Sequence, residues 1–118
     1  MKAVRFVGVG KEPKVLEMDK PKPAAGEVLV KIGGAGVCHS DLHVLHQGIG
    51  IDRDFTLGHE NAGWIEEIGE GVSGWSKGDG VAIYGPWGCG HCHACMMSFE
   101  NYCENWHPGK SYGGSKAC

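Results

Sequence analysis

The chain has 118 residues, 42% of them hydrophobic, and a formal net charge of −3; that is one domain's worth with one modest core, and it excludes the disordered class. The 11 basic and 14 acidic side chains are scattered, so no basic stripe suits a phosphate backbone and nucleic acid is not an expected partner. No apolar run approaches the roughly 20 residues needed to span a bilayer, so no membrane partner is expected either.

The N-terminal run MKAVRFVGV (1–9) alternates apolar with polar or small residues, and KVLEMD (14–19) is a shorter segment of the same kind; both predict strands. The N-terminus lacks the continuous apolar stretch and cleavage site of a signal peptide, so the chain is expected in the cytoplasm, where structural disulfides are rare. PKPAAGE (21–27) is a connector. EVLVKIGGAGVC (27–38) is β-branched with a glycine break, which predicts a long strand that bends. SDLHVLHQG follows, with Ser40 as N-cap and Gly48 as stop of a short helix. IGIDRDFTLG (49–58) reads as a loop, HENAGWIEEIG (59–69) and DGVAIYG (79–85) as strands, and 96–100 as one helical turn; the tail HPGKSYGGSKAC (107–118) carries no pattern. Glycine makes up 21 of the 118 residues, against an average of about 7%, and punctuates the short apolar runs as turns do. Five or so strands with little helical periodicity predict a small β-barrel or sandwich.

Cys89, Cys92, Cys95 and Cys103 follow C-x2-C-x2-C-x7-C. Tight C-x-x-C turns point thiolates to one side, and a loop returns the fourth sulfur, which suits a closed, tetrahedral, structural zinc site. Three other readings compete. Iron–sulfur motifs that open with this spacing continue x3-C-P, whereas Cys103 lies farther off and precedes Glu104. Disulfides are disfavoured by compartment, and a thioredoxin-like redox pair wants a βαβ setting that is missing. His91 and His93, between the cysteines, could substitute as ligands but read better as solvated loop residues.

Cys38 and His59, at the ends of different predicted strands, offer a thiolate and an imidazole that with a third ligand would form an open zinc site of the catalytic kind. Taken alone, Cys38 also reads as a small buried hydrophobe and His59 as a hydrogen-bonded loop residue. His59–Glu60 is not the H-E-x-x-H motif, because Gly63 stands at the second histidine position. GEGVSG (69–74) matches G-x-G-x-x-G, but WSKGDGVAIYG after it is strand-like and glycine-broken, so the run reads as a turn and not as a dinucleotide fingerprint.

GHENAGWIEEIGEGV (58–72) fits GHE-x2-G-x5-G-x2-V at every fixed position, CHSDLH (38–43) resembles a first-ligand motif, and GDGV (78–81) resembles GD-x-V. With the cysteine spacing, these cover most of residues 1–103 and resemble the N-terminal, GroES-like catalytic domain of medium-chain zinc-dependent alcohol dehydrogenases. The resemblance implies a mainly β, partly open GroES-like barrel with short helices and a zinc-stapled loop lobe at about 86–106. It implies alcohol/aldehyde oxidoreduction by hydride transfer from a zinc-bound alkoxide to NAD or NADP. Cys38 and His59 would be catalytic zinc ligands, Glu60 an alternative ligand, and Asp41 the carboxylate behind a ligand histidine. Ser40 would take the substrate hydroxyl proton, His43 would pass it toward solvent, and His39 would lie near the cofactor pyrophosphate. His46 and Trp64 are assigned to packing before pocket lining. The partner would be a small alcohol or aldehyde.

Members of that family are longer. Their nucleotide-binding domain and their third protein ligand of the catalytic zinc normally come after the position of residue 118. The 118 residues are therefore read as an N-terminal domain with the nucleotide-binding domain absent, inactive alone. A stand-alone, non-enzymatic zinc-binding module and a chain that joins a separate nucleotide-binding subunit are the alternatives. Cys118 reads as an exposed terminal thiol. The apolar faces near VLVKI and WIEEI are expected to be uncovered, which favours self-association.

Overall fold

A computed structural model describes residues 1–48, 54–85 and 87–105. In it the chain runs β1 (Lys2–Phe6), β2 (Lys14–Glu17), β3 (Val28–Gly36), α1 (His39–Gln47), β4 (Phe55–Thr56), β5 (Glu60–Ile68), β6 (Gly80–Ala82), α2 (His93–Met96) and a closing 3-10 turn at Glu100–Tyr102. The strands form two antiparallel three-stranded sheets, ordered β2-β1-β4 and β3-β5-β6, with no closed barrel among the described residues. The fold is mainly β with short helices, as expected.

The long strand is irregular at the predicted glycine break and at one further point. Register shifts fall between Leu29 and Val30 and between Ile32 and Gly34, and each bulge adds local twist. Its pairing with β5 runs from Val28 opposite Ile68 to Gly36 opposite Glu60. GEGVSG is a turn: Gly69 N–H donates to the Glu27 carbonyl and Gly26 N–H to the Glu70 carbonyl.

Several boundaries differ from the expectations, β2 ending at Glu17 and β6 spanning only Gly80–Ala82 among them. β1 stops at Phe6. The expected loop contains β4, whose Phe55 pairs with Phe6 and stacks on it with ring centroids 4.9 Å apart; residues 49–53 of that loop lie outside the described residues, as does the tail from 106 onward. The helical turn expected at 96–100 is two separate turns, α2 and the 3-10 turn, parted by Ser98 at φ 62°.

The core is thin. Ala3, Phe6 and Ile65 are buried, Ile65 most completely at 2% exposure. Ile32, Trp64 and Ile68 on the second sheet are exposed, as is all of β2. Among the described residues no helix is long and apolar enough to cross a membrane.

Candidate metal centres

Because β3 and β5 are antiparallel, the end of one lies beside the start of the other. Cys38 sits two residues past β3 and His59 one residue before β5, so strand pairing alone brings them to the same end of the sheet. The Cys38 Sγ and His59 Nε2 atoms are 3.1 Å apart. Glu60 joins them, with one donor atom from each residue within 4.8 Å of the others. The carboxylate of Glu60 fits there because its strand partner is Gly36: a Cβ at that position would meet Glu60 Oε2 head-on.

Cys38, not Ser40, is the N-cap of α1. Its backbone is extended, at φ −118° and ψ 176°, and its sulfur accepts the Ser40 N–H at 3.3 Å. Asp41 completes a capping box by accepting the Cys38 N–H on Oδ2 at 2.9 Å. Ser40 is two residues too late because its own N–H already lies inside the cap. Asp41 is 7% exposed, and its other oxygen, Oδ1, lies 3.3 Å from His59 Nδ1. One carboxylate thus holds the backbone of one donor and the ring of the other. A carboxylate facing Nδ1 keeps the proton there and turns the Nε2 lone pair toward the sulfur.

The donors fit a divalent ion of zinc's type. Zinc at ordinary bond lengths, with tetrahedral angles, separates a sulfur and an imidazole nitrogen by about 3.6 Å, so the observed pair needs to open only slightly. A thiolate, an imidazole and a carboxylate leave a fourth position open, the pattern of catalytic sites.

The sulfur-rich segment forms a second, closed centre. Cys89, Cys92, Cys95 and Cys103 bring their sulfurs within 4.8 Å of one another. Cys89 and Cys95 are 4.0 Å apart, close to the edge of about 3.8 Å for a zinc–sulfur tetrahedron. Cys92, Cys95 and Cys103 are buried and form their own small cluster. Backbone N–H groups are aimed at sulfur: Cys89 donates to Cys103 Sγ and Cys92 to Cys89 Sγ, both at 3.3 Å. The Asn105 side chain, donating to Cys89 Sγ at 3.4 Å, and the His91 backbone N–H hold the Cys89 thiol well below its ordinary range, at about 5. Burial pushes Cys95 up to about 12. Gly88 is required beside Cys95, since a Cβ there would occupy the place of its sulfur. The donor chemistry fits zinc.

The sequence profile described as Alcohol dehydrogenase GroES-like domain matches residues 24–117. The chain belongs to that family. It is 44% identical over 115 residues to an NAD-dependent alcohol dehydrogenase of Saccharolobus solfataricus, covering 89% of this chain and 33% of that protein. An alcohol dehydrogenase structure from Aeropyrum pernix superposes with a TM-score of 0.83 at 38% identity, over 98% of this chain and 35% of that one. A cobalt- and zinc-bound thermostable alcohol dehydrogenase from Pyrobaculum aerophilum gives 0.82 at 36% identity, over 89% of this chain and 32% of that one. The chain therefore spans about a third of the length of these relatives.

Within this GroES-like domain, Ser40, His39 and His43 lie exposed on the first turns of α1 beside Cys38. His39 and His43 are in edge-on ring contact, 4.8 Å between centroids. His91 and His93 are exposed, and the His91 Nδ1 lies 2.8 Å from the Cys89 carbonyl oxygen; the four-sulfur group does not include them. Neither His46 nor Trp64 is core: His46 is exposed, and Trp64 lies against Gly33 while 53% exposed. Cys118 lies outside the described residues.

Two positioning residues escaped the sequence reading. Asn61 is buried; its side chain donates to the Gly58 carbonyl at 3.2 Å, and its own carbonyl accepts the Ile83 N–H. It fixes the loop that carries His59, and its place inside the GHE stretch was the available signal. Asn105 reaches Cys89 from 16 residues away, and no local pattern marks it.

Proposed function

We propose that this chain supplies the metal-binding catalytic domain of an NAD(P)-dependent zinc alcohol dehydrogenase acting on small alcohols or aldehydes. The reading rests on one observation: Cys38 Sγ and His59 Nε2 meet at 3.1 Å with Asp41 bracing both. Cys38, His59 and Glu60 are the residues that would hold the ion of the open centre. Zinc there supplies Lewis acidity toward a substrate oxygen, and a nicotinamide supplies the hydride chemistry.

The chain's own residues do the rest. Asp41 sets the tautomer of His59. Ser40, two residues from Cys38, takes a proton from the substrate hydroxyl. His43, one turn further along the exposed face of α1, receives that proton and hands it to solvent. His39 faces the same side and suits the phosphates of a dinucleotide. The four cysteines of the lobe hold a second ion that shapes the loop and does no chemistry, since four sulfurs leave no open position.

Cobalt substitution tests the assignment. The 118-residue polypeptide is expected to bind two cobalt ions with distinct spectra. Cys92→Ser removes the sulfur-rich, strongly absorbing site, and Cys38→Ser removes the other. Loss of both signals with Cys38→Ser, or of neither, overturns the assignment. We expect no NAD-dependent oxidation of alcohols by these 118 residues alone, because hydride transfer needs the cofactor held in contact with the substrate. Turnover by the purified polypeptide would refute that.

A further inference from the structure

His39, His43 and His46 share one face of α1. At about 100° per residue they fall within an arc of about 60°, while Asp41 points the opposite way, toward His59. All three are exposed. The first two are one turn apart on a helix fastened at both ends, by the Cys38–Asp41 cap and by the Gly48 N–H donating to the Val44 carbonyl. Their rings already touch, with centroids 4.8 Å apart at 65°.

We propose that His39 and His43 form a bidentate site for a borderline divalent transition-metal ion, separate from both cysteine-containing centres. Two imidazole nitrogens bound to one such ion sit about 3.0–3.4 Å apart, a separation these rings reach by turning about their side-chain torsions. Residues at i and i+4 of a helix place their Cβ atoms at the spacing this requires. Imidazole without thiolate selects nickel, copper, cobalt or zinc and disfavours magnesium and calcium. Solvent fills the remaining positions, since the face is open.

The site does not rest on the dehydrogenase reading; its consequence does. An ion held here takes the lone pairs that His43 needs to carry a proton and that His39 offers to a cofactor. The same ion in excess is then an inhibitor of any longer enzyme built on this domain.

Nickel is the probe. The 118-residue polypeptide is first loaded with zinc and freed of excess, so that the cysteine centres are filled. Nickel titration, followed by calorimetry and by paramagnetic broadening of imidazole proton signals, is expected to show one ion broadening His39 and His43 first. His39→Gln and His43→Gln should each weaken binding about a hundredfold, as expected when a chelate becomes a single donor. His46→Gln should leave the affinity unchanged. The proposal is overturned if either of the first two variants retains the affinity, or if His91→Gln or His93→Gln abolishes it. Failure of cobalt to occupy Cys38 and His59 would sink the dehydrogenase reading and leave this site standing.

Discussion

Asp41→Asn is the most informative single change. The carboxylate offers two acceptors, one to the Cys38 N–H at 2.9 Å and one 3.3 Å from His59 Nδ1. The amide keeps only one acceptor. If its oxygen stays on the Cys38 N–H, its NH2 group faces His59. The ring then accepts at Nδ1 and carries its proton on Nε2, the atom that faces Cys38 Sγ. The helix cap survives, and the donor is blocked. Loss of a carboxylate behind a ligand histidine lowers metal affinity by about 10- to 100-fold, which is about 1.4–2.7 kcal/mol. Asp41→Ala removes the cap as well, adding roughly 1–2 kcal/mol of lost fold stability. The assay is competition of zinc between the protein and a chromophoric chelator, with Cys92→Ser as background so that only the open centre is read, alongside urea denaturation. The expected pattern is an affinity loss for Asn with little change in unfolding midpoint, and losses in both for Ala. Undiminished affinity in Asp41→Asn refutes the claim that this carboxylate sets the ring's tautomer.

Three further outcomes are expected. Zinc uptake by the lobe releases protons, because the Cys95 thiol at about 12 must ionise on binding. Cys89 is already ionised above about 5; its folded-state pKa lies below its ordinary value of 9.0, so the stabilisation it brings is complete only above about 9 and is lost progressively as pH falls to about 5. Lobe affinity should therefore fall steadily from pH 8 to pH 5 in chelator competition, and a flat profile contradicts this. Gly88→Ala should eject the lobe ion by displacing the Cys95 sulfur and leave the Cys38 centre loaded, read as metal stoichiometry after gel filtration; equal loss at both centres counts against it. Asn61→Ala leaves the Gly58 carbonyl without its side-chain donor, costing about 1–3 kcal/mol; it should weaken metal binding at the open centre and spare the lobe, measured by cobalt titration.

The two side-chain clusters were legible in the sequence because each candidate donor set carries a local signature: the cysteines a spacing, and Cys38 and His59 their place at predicted strand ends within motifs of the family. The helix was legible too, but its start was misplaced. Cysteine is not a usual cap, and only the fold, by aiming the Ser40 N–H at the sulfur, makes Cys38 one. β4 is two residues long, too short for any periodicity, and exists because Phe55 stacks on Phe6. α2 spans four residues, too few for a helical period to show. Gly36, Gly88 and Asn105 matter through contacts with residues far along the chain, which a reading of neighbours does not reach.

The sulfur of Cys38 closes the first turn of α1 and also faces His59. Ligation and helix integrity are therefore thermodynamically linked at one atom. An ion drawing on that sulfur competes with the Ser40 amide for its electrons, so amide exchange in the first turn should report occupancy with no spectroscopic label. Serine at this position keeps an acceptor for the helix while discarding the soft donor, whereas alanine discards both; the difference between the two variants isolates the mechanical share of the residue from its chemical share.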